Sequence, residues 1–509
     1  MADADEPKQE TYKEIERDLV RTAIKQPLLT MILDPSNKDW GIPVIVEAND
    51  DYYRGKEIAV AKVIDLVNRV AGVDLPSIGS AQNPYYKAEL KPQQILEIID
   101  QDDANANDGL NEEKQRAEAF LPSGATFPQQ VGRYLAIRRI WYNHPISPLI
   151  DKSVSTVKAD AAQRAFLAEG RDIVWAVVDS GIDRNHEHFL TNGTLDVTLP
   201  VDHFDFSVPG GDRNSALVDR FGHGTHVAGI IAGAYSISTG KPKAKATRTK
   251  LGKGNQVEPF EEEISQIAGM APSCKLVSLK VLNDKGKGDV SNIIAAIDRI
   301  QSINDFGRSI KIHGINLSVG YEFDPLWFAC GQSPVCVEVD RLVRSGVIVV
   351  AAAGNTGYGV LSSNQRATGA GFMLTINDPG NAELAITVGS THRDAPHTYG
   401  VSYFSSKGPT GDGRMKPDLV APGERILSCC SSIKSAANAT NTYVEDSGTS
   451  MAAPHVCGVI AAFLSIRREY IGQPEKVKEL FLSTATDLGR NAYFQGRGLV
   501  DLMRAIQSI

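Results

Sequence analysis

Three side chains in this 509-residue chain are of the types that acyl-transfer chemistry requires, and each stands where an apolar run ends or a helix begins. Asp179 closes the run IVWAVVD, His223 opens a helix in DRFGHGTHVAGIIAG, and Ser450 opens another in EDSGTSMAAPHVCG. A serine hydroxyl is a poor nucleophile near neutral pH. An imidazole must accept its proton, and a carboxylate must hold that imidazole in the right tautomer. Taken alone, Ser450 reads first as a helix cap, since it follows Gly448 and precedes Pro454 and the apolar run VCGVIAAFLSI. The catalytic reading depends on the chain also supplying the base and the carboxylate.

The elements that must position these groups begin near residue 171, where short β-branched runs alternate with helical stretches. The runs are IVWAVVD (173–179), LVSLKVL (276–282), IHGINLSVG (312–320), VIVVAAAGN (347–355) and AITVGS (385–390). Runs that are apolar throughout, rather than at every second residue, predict a parallel sheet covered by helices on both faces. In such an α/β fold, functional groups gather where strands end and helices start.

The first 150 residues have a different pattern. IPVIVEAN, YYKAEL and LAIRRIWYN read as strands, and GKEIAVAKVIDLVNRVAG and KPQQILEIIDQD as amphipathic helices, which together predict a small α+β domain. The polar stretch ANANDGLNEEKQ is expected to interrupt it as a loop. The segment STGKPKAKATRTKLGKGNQ (238–256) is basic and lacks apolar periodicity, so a solvated, mobile loop is expected there. The expected boundaries are an acidic, helical extension at 1–35, the α+β domain at 36–150 and the main domain at 151–509.

A net charge of −8 argues against nucleic acid as a partner of the whole molecule, and no apolar run approaches the ~20 residues of a membrane span. The amino-terminal residues MADADEPKQETYKEIERDLV lack a basic segment followed by an apolar one, so a cytoplasmic protein with reduced thiols is expected. Of the six cysteines, only Cys330 and Cys336 are spaced for an easy short-loop disulfide.

Together, VVDSGID, GHGTHVAG, AAAGN and SGTSMAAPH resemble the catalytic blocks of the subtilisin-like serine proteases, in the chain order Asp, His, Ser of that family, and the likeness covers roughly residues 165–509. The resemblance implies a subtilisin-like domain with a mainly parallel sheet flanked by helices. It makes Asp179 the orienting carboxylate, His223 the general base and then acid, Ser450 the nucleophile and Asn355 the side-chain oxyanion donor, with the backbone N–H of Ser450 as the second donor. Asp183, His226 and His455 fall at positions the family uses structurally. Gly224 and Gly229 are read as permitting close helix packing, and Pro454 as sitting in the first turn of the helix.

The same resemblance places an extended polypeptide substrate against three segments. Ser318, Val319 and Gly320 would form one wall of the primary pocket, and Ala352, Ala353 and Gly354 the other. Gly286, Lys287 and Gly288 would be the edge that pairs with the substrate. The family's calcium-binding loop is replaced here by the basic insertion, so no metal ligand is named and no cofactor is expected; calcium stays open without an assignable site. YEFDPLWFACGQSPVC, after the first wall, could reshape or cover the pocket. The extra YGVLSSNQRATGAGFMLTINDPGNAEL could rebuild its rim.

The amino-terminal domain resembles the family's ferredoxin-like propeptide. This implies an intramolecular chaperone and inhibitor whose tail, near NHPISPL, lies in the cleft. Two other readings stay open: a catalytically silent scaffold that binds partners, and a tripeptidyl or amidase-type hydrolase on the same fold.

Overall fold

The computed structural model describes residues 24, 28–72, 85–118, 131–142, 152–237, 244–251, 257–323, 329–362, 367–432 and 441–509. The chain divides into two compact units, residues 1–146 and 147–509.

In the first unit the strand Ile42–Ala48 lies between Tyr85–Leu90 and Ile137–Tyr142, antiparallel to both. Its alternate residues Ile42, Val44, Val46 and Ala48 are fully buried. The helix Lys56–Ala71 buries Ala59, Val63, Leu66 and Val67, the spacing of one helical face. The second helix corrects the sequence reading: it runs unbroken from Pro92 to Glu118, straight through ANANDGLNEEKQ. Asp102, Ala106 and Gly109 are all buried and keep the 4-and-3 spacing, so the inward stripe continues without a large apolar residue. Asp102 accepts the N–H groups of Ala136 and Ile137 at 3.1 and 2.9 Å. Burial pushes its carboxyl up to about 6, against the pull of those two N–H donors. A Cβ at Gly109 would stand 2.8 Å from the Tyr53 hydroxyl, so glycine is what admits that ring.

The second unit is built on a seven-stranded sheet in the order Leu419–Glu424, Ile386–His392, Ile348–Ala352, Gly314–Leu317, Val174–Asp179, Lys275–Lys280, Phe204–Asp205, parallel throughout. Within one strand Trp175 and Val177 join the core on one face, and Ala176 and Val178 that on the other. That two-sided burial is why the runs are apolar at every position. The first face is covered by the helices His223–Ile231, Thr449–Ile466 and Leu502–Gln507, the second by Val290–Ile303 and Pro334–Arg344.

The basic insertion is a second correction. Residues Ala244–Leu251 form a strand, antiparallel to Val257–Ile264 and parallel to Asn441–Asp446, in a four-stranded sheet completed by Ile426–Cys429. Charge pairing rather than apolar alternation holds it. Lys245 meets Glu261 at 3.5 Å, Arg248 pairs with Glu262, and Arg248 also reaches Glu445 at 3.2 Å. Thr249 donates its N–H and hydroxyl to Glu445 at 2.9 and 3.0 Å. Residues 238–243 and 252–256 of the insertion lie outside the described residues.

Candidate active site

Asp179 is the last residue of its strand and is fully buried, and the helix His223–Ile231 begins directly against it. Gly224 permits the approach, because a Cβ there would lie 2.2 Å from the Gly181 carbonyl oxygen and 3.2 Å from Asp179 Oδ1. His223 Nδ1 donates to Asp179 Oδ1 and Oδ2 at 2.8 and 2.9 Å, which leaves Nε2 as the acceptor of the ring. Burial opposes a proton on His223. The Asp179 carboxylate, with Asp446 and Asp219 farther off, outweighs burial and holds the imidazole pKa above its ordinary value.

Asp219, four residues before His223, was not singled out in the sequence. Its carboxylate accepts from Ser180 Oγ at 3.0 Å, Gly222 N at 2.7 Å, Thr225 N at 2.9 Å and Thr225 Oγ1 at 2.7 Å. It thereby caps the amino end of the His223 helix from outside and ties that end to Ser180, the residue after Asp179. An Asp ahead of a helix start is a capping signal, and DRFGHGTH carries it.

Ser450 is the second residue of the helix Thr449–Ile466, which is buried along nearly its whole length. Its hydroxyl donates to the Ser318 carbonyl oxygen at 3.1 Å and makes no hydrogen bond to His223. The Ser318 hydroxyl in turn donates to the Ser450 carbonyl oxygen at 3.0 Å. That carbonyl is free to accept because its helical partner would be the N–H of residue 454, which is proline. Pro454 therefore sits in the second turn of the helix, not the first, and its missing donor is replaced by Ser318. Asn316 Nδ2 fixes the Ser318 hydroxyl from behind at 2.9 Å.

Asn355 follows the strand Ile348–Ala352 by three residues and is exposed. Its Oδ1 accepts the Thr449 N–H at 2.9 Å and the Thr449 hydroxyl at 3.1 Å, which ties the amide to the residue before Ser450. Thr449 also accepts the Gly354 N–H at 3.2 Å, so one side chain locks the asparagine to the start of the serine helix.

Asp183, His226 and His455 serve the framework. Asp183 accepts the Ser432 N–H at 2.8 Å, His226 Nε2 donates to the Val444 carbonyl at 3.1 Å, and His455 Nδ1 donates to the Met451 carbonyl at 2.7 Å. Burial pulls both imidazoles down to about 4, so both are neutral at pH 7. A Cβ at Gly229 would lie 2.5 Å from the Cys429 sulfur, so glycine permits the close approach of the His223 helix to that residue.

A groove of about 730 Å³ runs from His223 between two of the expected substrate segments, lined on one side by Phe221, Val281, Leu282, Gly286, Lys287, Gly288, Val290 and Ile293, and on the other by Ser318, Val319, Gly320 and Tyr321. Residues 352–354 are not part of its lining. Ala353 is fully buried, with its N–H given to the Val388 carbonyl and its carbonyl accepting the Asn377 N–H. Ala352 is half-buried against the core, and Gly354, at φ 107°, carries the chain toward Asn355. Residues 324–328, within the segment expected to reshape the pocket, lie outside the described residues, as does the tail NHPISPL. The six cysteines, Cys330 and Cys336 included, are free thiols. Among the described residues no group of three His, Cys, Asp or Glu side chains is placed to hold a metal ion.

A family model described as the subtilase family, peptidase S8, matches residues 170–499. The chain is 28% identical to serine protease AprX of Bacillus subtilis (strain 168) over 362 residues, 69% of this chain and 70% of that protein. It is 30% identical to subtilisin DY of Bacillus licheniformis over 319 residues, 62% of this chain and 90% of the relative. Subtilisin E of Bacillus subtilis (strain 168) is 29% identical over 364 residues, 72% and 73% of the two chains.

Proposed function

The chain belongs to the subtilase family, and from that premise we propose that its serine endopeptidase activity is carried by Ser450, His223, Asp179 and Asn355. In this reading His223 Nε2 takes the proton of Ser450 as the hydroxyl oxygen attacks the carbonyl carbon of a peptide bond. Asp179 keeps the proton of the ring on Nδ1 and stabilises the imidazolium that forms. Negative charge then develops on the former carbonyl oxygen, where the Asn355 amide nitrogen and the Ser450 N–H at the helix start can donate to it. The tetrahedral intermediate collapses as His223 returns its proton to the leaving amine, and water repeats the sequence on the acyl-enzyme.

The observation that carries this reading is the pair of contacts from His223 Nδ1 to the buried Asp179 carboxylate, which fixes the tautomer a base needs. An extended polypeptide is the substrate, since the groove beside His223 presents Gly286–Gly288 and Ser318–Gly320 to it. Hydrolysis of an internal peptide bond by purified protein, lost in Ser450→Ala with an unchanged far-UV spectrum, is the expected result; full activity in that variant would refute it.

The finer proposal is that residues 1–150 chaperone and inhibit the peptidase unit. Its support is a separate compact unit with its own core, ahead of a parallel sheet whose long-range pairings make folding slow. Residues 151–509 expressed alone are expected to stay non-native until residues 1–150 are added in trans. The added piece should then inhibit. Unaided folding of the shorter chain would remove the chaperone role.

A further inference from the structure

Asn355 is exposed, yet the main chain on either side of it is anchored to buried residues. Residues 404–407 run alongside and take up the polar groups of its neighbours in turn. The Ser406 N–H donates to the Gly354 carbonyl at 2.9 Å, and the Ser406 hydroxyl accepts the Thr356 N–H at 3.2 Å. Gly357 donates its N–H to the Phe404 carbonyl at 3.0 Å, and its own carbonyl accepts from Lys407 Nζ at 2.9 Å. The approach requires glycine, since a Cβ at Gly357 would overlap the Ser405 carbonyl oxygen and stand 2.7 Å from Lys407 Nζ. Ser406 is fully buried, and Lys407 is only 6% exposed.

Lys407 holds that carbonyl without a counter-ion. Among the described residues no carboxylate is paired with its Nζ, whose second hydrogen bond goes to the Tyr403 carbonyl at 2.9 Å and which stands 5.2 Å from the centre of the Phe494 ring. Burial pulls the ammonium below the usual lysine value, with no neighbouring carboxylate to oppose it. An ammonium buried in this way costs stability that an apolar side chain of similar length would not. What the charge contributes is a pair of charge-assisted hydrogen bonds, about twice as strong as neutral ones, and one of them fixes the carbonyl two residues after Asn355. The main chain of Lys407 is held in turn, its N–H donating to the Thr375 hydroxyl at 2.9 Å and its carbonyl accepting the Thr375 N–H at 2.9 Å.

We propose that Ser406 and Lys407 are positioning residues for the hydrolysis: they fix residues 354–357 so that the Asn355 amide is already in place when negative charge develops on the substrate carbonyl oxygen. Both act through the main chain of the residues that flank Asn355. A donor set in advance costs no reorganisation at the moment of reaction, and a misplacement of about 1 Å can cost about 100-fold in rate. The proposal rests on Asn355 being the side-chain oxyanion donor.

The test uses the full chain and hydrolysis of a peptide anilide, with kcat and KM measured separately. Lys407→Met keeps the length of the side chain and removes the charge and its donors, and it is expected to lower kcat about tenfold with KM within about twofold. Ser406→Ala removes only a hydroxyl, which keeps the test open if Lys407→Met does not fold, and it is expected to lower kcat about threefold. Placed on Asn355→Ala, neither change should lower kcat further, because the amide they hold is gone. A merely structural role would lower kcat by the same factor in both backgrounds, or would act on KM alone. Either result overturns the proposal, as does an unchanged kcat in Ser406→Ala. If Asn355→Ala itself leaves kcat unchanged, the oxyanion reading fails and the proposal with it. If Asn355→Ala lowers kcat while Lys407→Met and Ser406→Ala do not, only the positioning proposal fails.

Discussion

Ser318 and Ser450 hold each other by a reciprocal pair of hydrogen bonds, each hydroxyl donating to the other residue's carbonyl oxygen at 3.0 and 3.1 Å. The exchange exists because Pro454 withholds the helical donor that Ser450 O would otherwise receive. Ser318→Ala removes the substitute donor and leaves a half-buried carbonyl without it, an expected cost of about 1 kcal/mol in urea unfolding. Adding Pro454→Ala restores an N–H at the right spacing and should recover part of that loss. Strictly additive effects of the two changes would break this link.

Asn355→Ala is expected to lower kcat by roughly 10² to 10³ with little change in KM, because its contact forms mainly in the transition state. Thr449→Val should act the same way but more weakly, since it loosens the amide without removing it. A KM effect alone would put Asn355 in substrate binding.

The acid limb of kcat/KM reports His223 in the free enzyme. A protonated imidazole cannot accept the Ser450 proton, so the rate falls as pH drops through its pKa. Asp179, Asp446 and Asp219 together hold that pKa above 6.5 despite burial, which places the half-point above 6.5. Asp446→Asn removes one of the carboxylates and should move the half-point to lower pH. A shift to higher pH would contradict the electrostatic assignment.

The strand Ala244–Leu251 is locked through Glu445, which Arg248, Thr249 and Arg393 hold from three directions while Arg425 stands near. The peptide bond after Arg248 should therefore resist limited trypsin digestion in the native protein. Glu445→Ala removes the carboxylate that joins Arg248, Thr249 and Arg393 and should open that bond to cleavage, read by mass spectrometry of the fragments. Rapid cutting after Arg248 in the native protein would show the strand to be unpaired in solution.

The candidate catalytic residues were legible because each stands where an apolar run ends or a helix begins, and the five central strands were legible because burial on both faces made them apolar throughout. What was hidden depends on partners far away in sequence. Arg248 finds Glu445 across 197 residues, so a basic strand looked like a loop. The helix through residues 104–115 kept its inward stripe with Asp102, Ala106 and Gly109, types that carry no hydrophobic signal. Asp219 was missed because its four donors converge only once the His223 helix has formed.

The central claim is that His223, held by Asp179, activates Ser450. A fluorophosphonate reacts fastest with a serine activated in this way, and its adduct can be mapped by peptide mass spectrometry in wild type, His223→Ala and Asp179→Asn. The account predicts one adduct, on Ser450, in wild type, strongly slowed labelling in Asp179→Asn, and none in His223→Ala. Labelling of Ser450 at the wild-type rate in His223→Ala, or an adduct on a different residue, would contradict it.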